Sequence, residues 1–357
     1  MLETEATHIS LLGATKYDGS SVRVGVPYQN IGSIQGNRNN SEMRANRINE
    51  LVPVKDKTVL DLGCNVGTIS NRLAELGATV VGVDHDADSI AVAREMNSKA
   101  MYACVDINLE YIRSLPHFDV VVWLSQFMWL VKQHGMDYAL DCLWELGKHC
   151  DTLVFETAGR DDGSAPIPYA QSDIFALLCK NTIFTDITDH GQWNDMWTPR
   201  NVFVLKNPLV LHDSFFSCVF PTTRGLVKKH FKDYEYARQM KARYSQVLSY
   251  VTSPYLPKLV AEDHDSLTLS WEGPRSKFIS DDDANGILEC LGPIKHRDIR
   301  PDNVLFNGQN SVLIDFTFAS FPGEITNVSH DLGGKYKCPN GFNDEYSLRK
   351  VQQELLK

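Results

Sequence analysis

Between residues 57 and 205, short aliphatic and β-branched runs alternate with stretches whose apolar residues recur every three or four positions. That rhythm predicts βαβ units on a parallel sheet. Residues 58–62 (Thr-Val-Leu-Asp-Leu) read as a buried strand, 68–76 as a helix with Ile69, Leu73 and Leu76 on one face, 79–83 as a second strand and 88–96 as a second helix. Further strands are expected at 102–105, 118–124, 152–156 and 202–205. Beyond Asn207-Pro208, a turn-like break, the rhythm changes. Short strand-like runs (215–220, 225–230, 267–271) surround one long helical stretch at 234–250, and Asn307-Gly308 marks a hairpin between 304–306 and 312–314. The expected organisation is a domain over 1–207, with 1–50 as a cap segment, and a second over 208–357.

Composition fits that division. The 357 residues are enough for about two domains, and 43% hydrophobic with 22% charged residues is an ordinary globular mix. The formal charge of −10 argues against broad nucleic-acid binding. Eight scattered cysteines without C-x-x-C spacing read as reduced thiols in a cytoplasmic protein. The opening residues carry no apolar leader, and the longest apolar stretch, 120–131, is interrupted by Ser125 and Gln126. It falls short of the roughly 20 residues a membrane span needs.

The first half carries Asp61-Leu-Gly63-Cys-Asn65-Val-Gly67 between a strand and a helix, a turn in which glycines let a ligand approach the backbone amides. Asp84 ends the next strand, placed to accept ribose hydroxyls, and Asp106 follows the third, in range of an adenine amino group. A nicotinamide dehydrogenase would share the fold and the ribose acid, but this turn lacks G-x-G-x-x-G. VLDLGCNVGTIS, VVGVDHD and FDVVVWLSQFMWL resemble the motifs of class I S-adenosylmethionine-dependent methyltransferases. Asn65 replaces the usual middle glycine of that motif and tolerates a left-handed backbone. The resemblance implies Asp61 and Gly63 at the methionine end, Asp84 with neighbouring His85 on the ribose, and Asp106 with Ile107 by the adenine. It also implies that Gly67 shapes the loop and that Ser125 and Gln126 line the methyl-transfer pocket. The segment from Tyr28, Gln29 and Asn30 through Gly36, Asn37, Arg38 and Arg44 would lie over the cofactor, its arginines either gripping an anionic acceptor or forming a solvated face with Arg47. His134, Glu156, His190 and Trp193 fall in late-strand loops where acceptor residues tend to sit.

The second half carries His296-Arg297-Asp298-x-x-x-x-Asn303, then Asp315-Phe316 across the hairpin. Antiparallel strands return Asn303 and Asp315 to one end, where they can hold a metal, while Asp298 faces an acceptor hydroxyl. The region resembles the protein-kinase-like fold. That resemblance implies ATP and Mg²⁺, with Asn303 and Asp315 as metal ligands. It makes Lys228 the phosphate-gripping lysine (Lys229 being the alternative register), Glu235 its helix partner, and 269–273, including Glu272, a hinge for adenine. Departures are plain: only Gly225 stands where a glycine-rich loop is expected, and Thr317 replaces the glycine after Asp-Phe. Too few residues separate the hinge from His296 for the usual helices, which argues against a protein substrate.

Together the halves predict an α/β fold: a Rossmann-like class I methyltransferase sheet followed by a truncated α+β protein-kinase-like domain. Their order resembles the WbdD-type bifunctional enzymes that cap bacterial O-antigen polysaccharides by phosphorylating and methylating the terminal sugar. The resemblance implies a glycan acceptor, no nucleic acid, and a cytoplasmic enzyme at or near the inner membrane. A C-terminal helix, begun by Leu348, Val351, Leu355 and Leu356, would recruit a polymerase and contact the membrane if the chain continues, or would pack on the lobe. The alternative is a small-molecule methyltransferase with a regulatory, nucleotide-binding pseudokinase domain.

Overall fold

The computed structural model describes Gln29 and residues 40–96, 99–163, 166–193, 199–324, 334–339 and 343–356. The chain forms two compact units, Met1–Ile174 with Ile187–Pro208, and Phe175–Asp186 with Leu209–Lys357. One division falls after Pro208, beside the Asn207-Pro208 break. In contrast to the expected 1–207 domain, however, Phe175–Asp186 belongs to the second unit. There the Ile183 carbonyl accepts from Leu209 N–H (2.7 Å), the Thr185 carbonyl accepts from Arg275 N–H (3.1 Å), and Phe175 meets Phe306 (ring centroids 6.3 Å apart).

The first unit opens on helix α1 (Ser41–Leu51) and continues β1 (Thr58–Leu62), α2 (Thr68–Glu75), β2 (Thr79–Asp84), α3 (Ala87–Glu95), β3 (Met101–Cys104), α4 (Leu109–Arg113) and β4 (Phe118–Leu124). Helices α5 (Phe127–His134) and α6 (Met136–Leu146), β5 (Cys150–Glu156), then α7 (Gln171–Asn181) and β6 (Phe184–Gln192), whose residues are divided between the two units, and β7 (Asn201–Pro208) follow. The seven strands run in the order β3-β2-β1-β4-β5-β7-β6. Strands β1 to β5 are parallel neighbours, whereas β7 pairs antiparallel with β5. The central strands are rich in aliphatic residues because both faces are covered. Val59, Val120 and Val122 pack with Ala45, Ile48, Ile69 and Leu73. Trp123, Phe127 and Phe155 meet edge to face, with centroids 5.5–6.0 Å apart. The strand order reverses between β1 and β4, which opens a crevice at their carboxyl ends, where ligands bind in open α/β sheets.

The second unit carries β8 (His212–Asp213), β9 (Ser217–Pro221), β10 (Leu226–Phe231), α8 (Glu235–Tyr250), β11 (Leu259–Glu262), β12 (Ser266–Ser270) and α9 (Asp281–Leu291). The hairpin β13 (Val304–Phe306) and β14 (Ser311–Leu313) and the helix α10 (Asp344–Leu355) complete it. Its five-stranded sheet runs β11-β12-β10-β9-β8. Helix α8 lays Ala237, Met240, Tyr244, Val247 and Leu248 into the core, the spacing of one helical face. Helix α9 is the single described α-helix in the stretch expected to be too short for the usual helices. Ser280 caps it, its side chain accepting from Asp283 N–H (3.0 Å), and Asp281–Asp283 favour its positive N-terminus. Leu348 and Val351 of α10 are fully buried in the same core, so this face of the C-terminal helix packs on the lobe, while Leu356 is exposed.

Gly67 shows how tightly the first loop is built. Its φ is 78°, and a Cβ there would stand 2.3 Å from the Tyr102 hydroxyl. Gly67→Ala is therefore expected to destabilise the first unit by about 2–4 kcal/mol, backbone strain and overpacking together. Urea unfolding would measure this, and adding Tyr102→Leu should recover the steric part.

Candidate active sites

In the first unit the loop from Gly63 to Gly67 folds back on the end of β2. The N–H groups of Gly63 and Cys64 both donate to the Val83 carbonyl (2.8 and 3.0 Å). Gly63 (φ 78°) and Asn65 (φ 52°) are left-handed, as the turn requires. Gln126 lies directly over Gly63, where a Cβ would stand 2.1 Å from its side chain. Asp84, almost fully buried, accepts from the N–H groups of Asn65 (2.9 Å) and Asp86 (3.0 Å) and contacts His85 Nδ1 (3.2 Å). Gln29 Oε1 accepts from Thr68 N–H at the start of α2 (3.2 Å). Asp61 accepts from the Ser70 hydroxyl (2.6 Å), and burial pushes its carboxyl up to about 6. Asp61, Gly63, Asn65, Gly67, Asp84 and Gln29 thus surround one crevice edge. Asn65 Oδ1 is buried without a hydrogen-bond partner among the described residues, a polar atom that a ligand can satisfy. Asp106 is exposed and Ile107 half-buried just past β3. Tyr28, Asn30, Gly36, Asn37 and Arg38 lie outside the described residues.

At the ends of β4 and β5 the structure assembles a charge cluster larger than the sequence indicates. Ser125 (φ 60°) donates from Oγ to Glu156 Oε1 (2.7 Å). Arg200 reaches the Ser125 hydroxyl (2.9 Å), Glu156 (3.2 Å) and Asp162 (2.6 Å), while Arg44 pairs with the other Glu156 oxygen and stacks on Trp193 (4.9 Å). All five polar side chains are buried, and two arginines balance two acids, as buried ions demand. Arg44 is therefore not on a solvated face. Arg47 is, paired with Glu50. Sequence reasoning missed Arg200 and Asp162, which no spacing connects to Glu156. Of the other loop candidates, His134 stacks on Tyr138 (4.7 Å) and His190 is exposed.

In the second unit the lysine assignment changes. Along β10 the buried side chains are Val227, Lys229 and Phe231, so Lys228 falls on the opposite face, half-exposed and paired with Asp263 (2.9 Å). Lys229 is 6% exposed and bonds Asp315 Oδ1 (2.7 Å) and Thr317 Oγ1 (3.3 Å). The signal was Val227 and Phe231: with a period of two, the lysine between them faces the core. Glu235 is also not the lysine's partner, since it is exposed in the first turn of α8 and accepts from Gln239 (3.1 Å).

His296 joins the two acidic segments. It is fully buried, its Nε2 meets the Ile314 carbonyl (2.8 Å) and its Nδ1 accepts from Asp298 N–H (3.2 Å). The N–H groups of His296 and Arg297 both donate to Asp344 of α10 (2.7 and 3.0 Å), which holds the Arg297 backbone at φ 70°. Asn303 Nδ2 donates to the Asp298 carbonyl (2.8 Å) and Oδ2 (3.1 Å), and Ile314 N–H donates to the Asn303 carbonyl (2.9 Å). Asp298, Asn303, Asp315 and Lys229 therefore form one site. Burial raises the Asp298 carboxyl, and its Oδ1 is buried with no partner among the described residues. Burial also pushes Asp315 up, but the Lys229 ammonium and the bonds from Lys229 and Thr317 overcome it and hold the group at about 2. Oxygen donors from Asp315 and Asn303 suit a hard divalent cation completed by phosphate oxygens. The described residues contain no group of three or more His, Cys, Asp or Glu able to hold a metal alone. Glu272 directs its half-buried carboxyl inward, to Ser270 and Asn307, and burial raises it. Its side chain is thus spent on these contacts.

A family model described as a methyltransferase domain matches residues 53–138. The O-antigen chain terminator bifunctional methyltransferase/kinase WbdD of Escherichia coli is 32% identical over 165 residues, 44% of this chain and 23% of WbdD. The match thus spans about a quarter of that relative's length. A crystal structure of WbdD aligns over 92% of each chain at 20% identity, with a TM-score of 0.42. The ubiquinone biosynthesis O-methyltransferase of Pseudomonas fluorescens is 44% identical over 184 residues, 48% of this chain and 77% of that enzyme. With the Rossmann-like sheet and its glycine loop in place, these matches establish that the chain belongs to the methyltransferases and is WbdD-like in sequence.

Proposed function

We propose that this chain is a bifunctional enzyme that uses ATP with Mg²⁺ to phosphorylate, and S-adenosylmethionine to methylate, the terminal sugar of a polysaccharide. The observation that carries this reading is the joining of Asp298, Asn303, Asp315 and Lys229 into one site, in a chain that also carries the methyltransferase loop. The similarity to WbdD supports the glycan acceptor. No described helix is long and apolar enough to cross a membrane.

The residues divide the phosphoryl-transfer work as follows. Asp298, its carboxyl raised by burial, takes the proton of the acceptor hydroxyl. Asp315 and the Asn303 amide oxygen would hold Mg²⁺, and the ion would supply positive charge beside the phosphate. Lys229 turns from Asp315 to a phosphate oxygen. In the first unit Asp84 would accept from the ribose hydroxyls, and Asp61 would meet the ammonium of the cofactor's methionine end.

Asp298→Asn should lower phosphate transfer from ATP by about 10²–10⁴-fold and leave S-adenosylmethionine binding intact. Unchanged transfer would remove Asp298 from the reaction, and ATP binding without transfer by the unaltered chain would favour the regulatory pseudokinase. Lys229→Met should be as damaging, whereas Lys228→Met, on the opposite strand face, should stay within about threefold of the parent. The same assay reads both.

The Asp61 carboxyl at about 6 sets a pH dependence in the methyltransferase unit. Above that value the ionised group attracts an ammonium, and below it the neutral acid does not. Calorimetric affinity for S-adenosylmethionine should therefore fall about tenfold from pH 7 to pH 5. Asp61→Asn should bind weakly and with a flat profile over that interval.

A further inference from the structure

The phosphate-gripping lysine of kinase-like folds is held by a glutamate on the adjoining helix. Here that helix cannot supply one. The sixteen residues of α8 include a single acid, Glu235, and it points into solvent from the first turn. The side chain of α8 that faces Lys229 is Tyr244, whose ring centre lies 4.9 Å from the ammonium. The Tyr244 hydroxyl accepts from Asp315 N–H (3.2 Å), and its ring meets Phe316 edge to face (5.7 Å). One buried side chain therefore touches both the lysine and the backbone of the metal-binding aspartate.

Thr317 completes the arrangement. Its hydroxyl donates to Asp315 Oδ1, the same oxygen that Lys229 bonds, and accepts from Lys229 itself (3.3 Å). With both contacts on Oδ1, Oδ2 makes no hydrogen bond among the described residues and is left for a cation. When Lys229 leaves for a phosphate, Thr317 still holds Oδ1, and the Tyr244 ring still attracts the ammonium without offering a competing carboxylate.

We propose that Tyr244 and Thr317 are the positioning residues of the nucleotide site, jointly replacing the helix glutamate by aligning Lys229 and Asp315 for a metal–nucleoside triphosphate. This rests on the phosphotransferase reading above. The two fail differently in one experiment, which needs no acceptor: calorimetric binding of a non-hydrolysable ATP analogue to the full chain, with and without Mg²⁺.

The unaltered chain should bind more tightly with Mg²⁺, and Asp315→Ala should lose that gain. Tyr244→Phe and Thr317→Val each remove one hydrogen bond that orients Asp315, and each should cut the gain about 5- to 10-fold while leaving metal-free affinity unchanged. Thr317→Ser should restore it. Tyr244→Leu also removes the ring, and should weaken metal-free binding about 5-fold. A purely structural role would lower affinity equally with and without Mg²⁺, and that result overturns the proposal. So does full retention of the gain in both Tyr244→Phe and Thr317→Val. Should Tyr244→Leu fail to fold, those two conservative variants decide. An unaltered chain with no Mg²⁺-dependent gain would overturn the phosphotransferase reading and this proposal together.

Discussion

An ammonium buried beside Phe231 and Tyr244 is tolerable only where a carboxylate meets it, and the Lys229–Asp315 contact answers that demand. Much of the second unit's geometry follows from it. Asp315 must reach β10, so the hairpin β13–β14 has to deliver its outgoing end beside the sheet. Asn303 sits at the incoming end of that hairpin, opposite Ile314, and is carried to the same place. His296 then locks the loop of Asp298 to the Ile314 carbonyl. A single buried ion pair thus sets the relative positions of four polar groups that are far apart in sequence.

The first unit meets the same constraint with different parts. Its parallel sheet buries aliphatic residues on both faces, so polar groups concentrate at the carboxyl ends of the strands, where the packing opens. Glu156 ends β5 there and is balanced by Arg44 from α1 and Arg200 from the start of β7. Asp162 offsets the second arginine. The cluster ties helix α1 and the antiparallel strand β7 to the strand ends. Removing one partner would leave an uncompensated buried charge, a loss of about 3–5 kcal/mol.

What could be read in the chain follows from the range of the forces involved. The strands β1 to β5 and the helix α8 announce themselves because burial on a sheet or one helical face imposes a local period. The glycine loop and the Asp298–Asn303 spacing are legible because the backbone turns they require are also local. The choice between Lys228 and Lys229 was local too: it turned on which alternating set, Leu226–Lys228–His230 or Val227–Lys229–Phe231, enters the core. Two large apolar residues decide it for Lys229. The Ser280 cap with three following aspartates is likewise a local signal, for α9, that sequence reasoning did not use. The partners of Glu156 were not legible, since Arg44 and Arg200 reach it only through the completed topology. Nor was Tyr244: nothing in a helix sequence distinguishes a core tyrosine from one that supports a lysine.

The two aspartates of the second unit show how environment divides one chemistry between like groups. Both are carboxylates within a single site, and burial raises both. Lys229 and Thr317 reverse the effect at Asp315, which stays ionised and suited to a cation. At Asp298 burial outweighs Arg300 at 3.7 Å, His296 and the Asn303 amide, and Asp315 adds repulsion, so the carboxyl remains raised. Carboxylates pushed apart in this way take different roles, one holding charge and the other moving a proton. The lysine thus acts on both acids: by holding Asp315 ionised it leaves Asp298 the more basic of the pair, a difference that the chain's own residues set.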